Sequence, residues 1–119
     1  MSHSPQDVHK KVLGRKGEKL AENFLKEQNC KIISRNYRTP FGEVDLIVSD
    51  GDEIAFVEVK TRASDLFGAP KEAVGAKKRA RYRLMAKFYA MQKGEEPNLR
   101  FDVIEVLNGE KIEWYKHAF

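Results

Sequence analysis

The 119-residue sequence predicts a single α/β domain, and three observations carry that expectation. Its length suits one compact core. Two segments repeat apolar residues at helical steps, one ahead of a set of β-rich runs and one within it. The β-rich runs are separated by turn residues at 39–42, 49–52 and 108–109. Hydrophobic residues at 41% and charged residues at 34% supply enough apolar material for a core and too much for a disordered tail.

Residues 1–13 show no periodicity and several turn formers, so they read as a flexible arm ahead of a domain spanning 14–119. From Arg15 to Gln28, Leu20, Ala21, Phe24 and Leu25 recur at three- and four-residue steps against Glu18, Lys19, Glu22, Lys26 and Glu27. That is the pattern of an amphipathic helix. Asn29 is placed to end it in a left-handed conformation, and KIISRNY follows as a strand around Ile32 and Ile33. After a turn at Thr39-Pro40-Phe41-Gly42, GEVDLIV and EIAFVEVKT form two strands joined through Ser49-Asp50-Gly51-Asp52, whose Asp-Gly pair is a hairpin signature. Leu66 to Pro70 is a loop. A long helix is expected from about Lys71 to Gln92, with Ala73, Ala76, Ala80, Leu84, Phe88 and Met91 on its apolar face and Gly75 weakening its first turns by about 1 kcal/mol relative to alanine. Beyond Gly94 to Asn98, RFDVIEVL and KIEWYKH make two more strands around Asn108-Gly109. The order is α, β, β, β, α, β, β.

Lys and Arg number 22 against 18 Asp and Glu, a formal +4, and eight of the basic residues lie between Lys71 and Lys93 with only Glu72 among them. Such a segment attracts polyanions, nucleic acid being the usual case, unless it is simply a solvated helix face. No run approaches the roughly 18 apolar residues of a membrane span, and MSHSPQDVHKK lacks the apolar middle of a signal peptide. The lone Cys30 offers no internal disulfide and no second thiolate for zinc, which fits a cytoplasmic protein.

The acids set within the strands carry the chemical signal. Strand side chains alternate faces, so Phe56, Glu58 and Lys60 project one way while Val57, Val59 and Thr61 project the other. A two-residue loop at Asp50-Gly51 places Asp45 opposite Phe56 and diagonal to Glu58. A four-residue loop at 50–53 places it directly opposite Glu58. Either register puts both acids on one face, whereas an odd loop would bury one of them among valines. Two carboxylates so close repel unless a cation intervenes, so the pair with its neighbouring lysine suits a hard cation, Mg²⁺ or Mn²⁺. The plainer alternative is a surface ion pair of Lys60 with Glu58 or Asp45, worth about 0.2–1 kcal/mol. Glu43 shares Asp45's face, as a supporting acid or as ordinary turn chemistry.

Asp45 followed by Glu58-Val59-Lys60, behind a helix bearing Glu18 and Glu22, resembles the signature of the PD-(D/E)xK nuclease superfamily, with Val44 where that signature has proline. The element order is similar to its restriction-endonuclease-like αβββαβ core, a mixed sheet flanked by helices. More narrowly, GRKGEKLAENFL, NYRTPFGEVDLIV, FVEVKTR, FGAPKEAV and RFDVIEV together resemble the bacterial YraN family, also called UPF0102, whose members are similar in fold to archaeal Holliday junction resolvases. The resemblance spans residues 14–107.

It implies a metal-dependent DNA endonuclease, acting on branched or damaged DNA, with Asp45, Glu58 and a helix glutamate as ligands of Mg²⁺ or Mn²⁺. Glu18, in the Gly14-x-x-Gly17-Glu18 position, is the first choice and Glu22, one turn on, the other. Lys60 would orient the attacking water or offset charge at the phosphate. Arg38 and Arg62 flank the implied site and are the better-placed phosphate contacts, joined by a subset of Lys77, Lys78 and Arg79. Tyr82 and Tyr89 either stack on bases or cover a core edge. Arg100 to Asp102 is expected to serve packing and salt bridging within the sheet. Symmetric junction cutting would call for a homodimer. The alternative is a nucleic-acid-binding module without turnover, a partner of a repair or recombination protein.

Overall fold

The computed structural model describes residues 5–62, 75–94 and 97–118, with side chains from Arg15 onward. Its elements are α1 (Pro5–Glu27), β1 (Lys31–Thr39), β2 (Gly42–Asp50), β3 (Glu53–Arg62), α2 (Ala76–Lys93), β4 (Leu99–Leu107) and β5 (Lys111–Tyr115). This is the expected order α, β, β, β, α, β, β, an αβββαβ core followed by the expected last strand. The strands form one mixed sheet in chain order β1-β2-β3-β4-β5. β3 and β4 run parallel, and every other neighbouring pair is antiparallel.

Each helix covers one face of the sheet. Ala21 and Leu25 of α1 pack with Leu46, Val48, Val57 and Ile104. On the other face, Tyr82, Met85 and Tyr89 of α2 pack with Val44, Ile47 and Phe56. Among the described residues, no helix is long and apolar enough to cross a membrane.

Two helix starts differ from expectation. α1 begins at Pro5, so residues 5–13, read as part of a loose arm, are helical. Proline's fixed φ and missing N–H suit a first helical turn, a signal that apolar periodicity does not register. The helix ends as expected at Asn29, whose φ is 66°. α2 begins at Ala76, with Gly75 extended ahead of it rather than inside its first turns. The expected residues 71–74 of that helix, and the loop at 66–70, lie outside the described residues. Gly94, at φ 72°, closes α2 by donating its N–H to the carbonyls of Ala90 and Met91.

The buried face of α2 is also not the expected one. Leu84 is 42% exposed and Met91 80%, while Tyr82, Met85 and Tyr89 are buried. The sheet beneath is aromatic, and Tyr89 meets both Tyr37 and Phe56 edge-on while Tyr82 meets Phe101. Tyrosine rings bury more area there than Leu84 and Met91 could, and gain edge-to-face contacts as well. Tyr82 and Tyr89 therefore belong to the core rather than to a base-stacking surface.

The hairpin turns at Gly51-Asp52, with Gly51 at φ 63° and Asp50 paired to Glu53. The pairs Ser49 with Ile54 and Leu46 with Val57 fix the register that carries Asp45 towards Glu58. Asn108 and Gly109, both at positive φ, make the last turn as the sequence predicts.

Candidate active site

Asp45 sits where the sheet comes apart. Past Leu46 and Val57 the ladder between β2 and β3 stops. In place of the next backbone pair, Asp45 Oδ2 accepts the N–H of Val59 at 2.8 Å. On its other side Asp45 stands across from Asn36, whose φ of 51° takes that position out of the β1 ladder too. The double interruption turns the strand. Val44 joins the α2-side core and Leu46, two residues on, the α1-side core. Alternation would have sent both to one face.

Glu58, on β3, meets two lysines. Lys78 from α2 donates to its Oε1, and Lys60 Nζ lies 3.8 Å from the same oxygen. The other oxygen, Oε2, is buried and has no hydrogen-bond partner. Burial raises the Asp45 carboxyl above the ordinary carboxylate range, and the charges of Glu58 and Glu43 push it further, against the Val59 N–H and Lys78. Loss of solvent is the larger influence on this carboxyl and the neighbouring acids the smaller. The phenol of Tyr82 is raised as well, by burial first, then by the charges of Glu58 and Asp45, and by a side-chain hydrogen bond with Glu58.

α1 completes the arrangement through a close approach. A Cβ built on Gly17 would stand 2.2 Å from Thr61 Oγ1 of β3. Only glycine lets the helix lie this near the strand. The next residue, Glu18, is raised by burial and then by Asp45 and Glu43, with Arg15 opposing. Glu18 thus shares the field of Asp45. Glu22 does not: Arg35 Nε donates to its Oε2 at 3.0 Å and Lys26 lies 3.2 Å from Oε1. Chiefly through the Arg35 hydrogen bond, Glu22 is lowered to about 2. Of the two helix glutamates, Glu22 is committed to cations of its own fold and Glu18 is not. Glu18, Glu22, Asp45, Arg15, Lys19 and Arg35 line a cleft of about 200 Å³ between α1 and the first two strands.

The basic residues expected to contact nucleic acid divide differently. Arg62 Nε lies 2.8 Å from Glu105 and Lys78 is bound to Glu58, so both face acids of the chain itself. Arg38 is exposed and 3.5 Å from Glu43. Lys77 and Arg79 are exposed on α2. The sequence reading missed the cleft cations Arg15, Lys19 and Arg35. The (i, i+4) spacing of Arg15 and Lys19 around Glu18 was an available signal. Among the described residues, no group of three or more His, Cys, Asp or Glu is gathered as a ready metal site. Asp45 and Glu58 form a pair, with Glu18 felt through its charge.

Together these features define a mixed-sheet α/β domain whose acids converge where two antiparallel strands part, under a glycine-spaced helix. The chain belongs to the family described as "Uncharacterised protein family UPF0102", whose model matches residues 17–106. It is 47% identical over 111 residues to a UPF0102 protein of Solibacter usitatus, covering 89% of this chain and 84% of that one. A UPF0102 protein of Pelotomaculum thermopropionicum is 40% identical over 116 residues, 92% of this chain and 97% of its own. One from Thermodesulfovibrio yellowstonii is 44% identical over 107 residues, with 90% and 95% covered. The family read from the sequence blocks is the one found.

Proposed function

We propose that the chain is a metal-dependent DNA endonuclease of the restriction-endonuclease-like kind, related in fold to archaeal Holliday junction resolvases and acting on branched or damaged DNA in the cytoplasm. The observation that carries this reading is the buried, unpartnered Oε2 of Glu58 beside the raised carboxyl of Asp45. The two lysines beside Glu58 leave its second oxygen unmatched, and oxygen donors of this kind suit Mg²⁺ or Mn²⁺. Asp45 and Glu58 would hold the ion, with Glu18 as the third acid. When bound, such an ion polarises a phosphodiester and activates water.

The chain's own groups do the rest. The Val59 N–H fixes the Asp45 carboxylate. Lys60 is an ammonium and cannot be a ligand; beside Glu58 it can donate to water or to a phosphate oxygen as charge builds in the transition state. Arg15 and Lys19 give the cleft a cationic rim suited to a phosphate backbone, Arg35 being held by Glu22.

The test is incubation of purified protein with labelled linear, flap and four-way DNA in Mg²⁺, Mn²⁺ or EDTA, beside Glu58→Ala and Lys60→Ala. Metal-dependent cleavage absent from Glu58→Ala and lowered about 10²-fold or more in Lys60→Ala is expected. Equal cleavage by Lys60→Ala would remove the role given to that lysine. DNA binding with no cleavage by the wild type would instead favour a nucleic-acid-binding module.

A further inference from the structure

Lys78 is set apart from its basic neighbours. Lys77 and Arg79 are exposed, but the Lys78 side chain is only 21% exposed and belongs to the sheet-facing stripe that continues through Tyr82, Met85 and Tyr89. Four- and three-residue steps separate these positions, so they share one side of α2. At the end of that stripe the ammonium binds Glu58 Oε1, and its charge also acts on Asp45. Lys60 already stands 3.8 Å from the same oxygen, so one oxygen of Glu58 faces two ammonium groups while the other has no partner.

We propose that Lys78 is an internal counter-cation of the acid site, competing with a divalent ion for Glu58 and so setting how readily that ion loads. The inference rests on the metal-site reading above and deepens it. The resting chain lowers the repulsion between Asp45 and Glu58 with a tethered charge that costs no ligand. For a divalent ion to take Glu58 fully, the ammonium must leave Oε1. Lysine's flexible stem permits that movement, and a phosphate backbone passing α2 offers the ammonium another anion. Anything that draws Lys78 away from Glu58 tightens metal binding, and by reciprocity metal binding releases Lys78 for phosphate. The basic helix and the acid pair then act as one coupled device.

The experiment is titration of Mn²⁺, without DNA, into the wild type, Lys78→Met, Lys78→Arg, the exposed-site control Lys87→Met and the double variant Asp45→Asn, Glu58→Gln. Circular dichroism checks that each is folded, and Lys78→Gln replaces Lys78→Met if the methionine variant does not fold. Expected is Mn²⁺ affinity raised about tenfold or more in Lys78→Met, the scale of removing one nearby charge from a partly buried site. Lys78→Arg and Lys87→Met should match the wild type, and the double variant should not bind. Equal or weaker binding by Lys78→Met, with the double variant still inactive in binding, overturns the counter-cation and leaves the metal site standing. If neither the wild type nor Lys78→Met takes up Mn²⁺, both readings fall.

Discussion

The two ends of the β2–β3 hairpin are built from the same residue types and have opposite electrostatics. At the turn, Asp50 and Glu53 meet Asp102 of β4 around the guanidinium of Arg100, which lies 2.7 Å from Asp50, 3.0 Å from Glu53 and 3.0 Å from Asp102. Asp102 is fully buried and also accepts the Trp114 indole N–H at 2.9 Å and the His117 backbone N–H at 3.1 Å. At the open end, Glu58 meets two lysines on one oxygen and has no hydrogen-bond partner on the other, and Asp45 accepts a backbone N–H. A fold that can satisfy a buried acid so fully at one end has left another short of partners at the other. Acids serving the architecture carry their cations with them. Those at the parted strands are matched less fully, with one buried oxygen of Glu58 left without a hydrogen-bond partner.

The comparison can be broken most severely at the turn. Replacing Arg100 with Met should destabilise the chain by about 3–5 kcal/mol, because removing one partner leaves buried charges without compensation. Urea denaturation measures this, and a loss under 1 kcal/mol would mean that the cluster is ornamental.

A smaller effect is expected at the helix that frames the open end. Gly17→Ala drives a methyl group into Thr61 Oγ1 and should cost about 1–3 kcal/mol, typical of overpacking. Thr61→Ala removes the obstructing oxygen, so the double variant should recover most of that loss. Simple additivity of the two changes would show that α1 is not held against β3 by this contact.

The smallest effect sharpens the contrast through pH. Asp50 is lowered, first by its hydrogen bond to Arg100, so the stability it contributes is present above its unfolded value and lost as pH falls through the folded one. Asp45 is raised, first by burial, so the folded chain holds its proton more tightly than the unfolded chain and stability is lost as pH rises through the folded value. Asp45→Asn keeps an acceptor for the Val59 N–H and removes that loss. It should stabilise the protein by about 0.5–1 kcal/mol at neutral pH, with no gain under acid conditions where wild-type Asp45 is already protonated. Melting temperatures across pH 3 to 8, roughly the span in which carboxyls titrate, would show the curves converging. A constant offset would remove the account of Asp45 as a carboxyl raised chiefly by burial.

Strand alternation and the Asp-Gly turn made the hairpin and the shared setting of Asp45 and Glu58 legible, because a period of two leaves few registers that bury valine. Glu18 was legible only from its place after Gly17. The reason for that glycine, the nearness of Thr61, depends on a residue far away in the chain. The partner of Lys78 was hidden for a different reason. A run of basic residues reads as a solvated face until the packed stripe of α2 is known, and that stripe is set by tyrosines whose hydroxyls mask their apolar area. The break at Asp45 left little trace, since an asparagine such as Asn36 is common in strands that turn and in strands that do not.

The parallel pairing of β3 with β4 divides the sheet into contacts local in sequence and contacts distant in it. β1, β2 and β3 meet their neighbours across short turns, whereas β4 reaches β3 only after the chain has travelled from Arg62 to Leu99. Closing that longer excursion sacrifices more chain freedom than closing a hairpin. The meander that sets Asp45 against Glu58 needs only the shorter closures. Arg100 comes from β4, so the acids at the turn are neutralised by a contact distant in sequence, whereas the setting of Asp45 beside Glu58 is built from neighbouring strands.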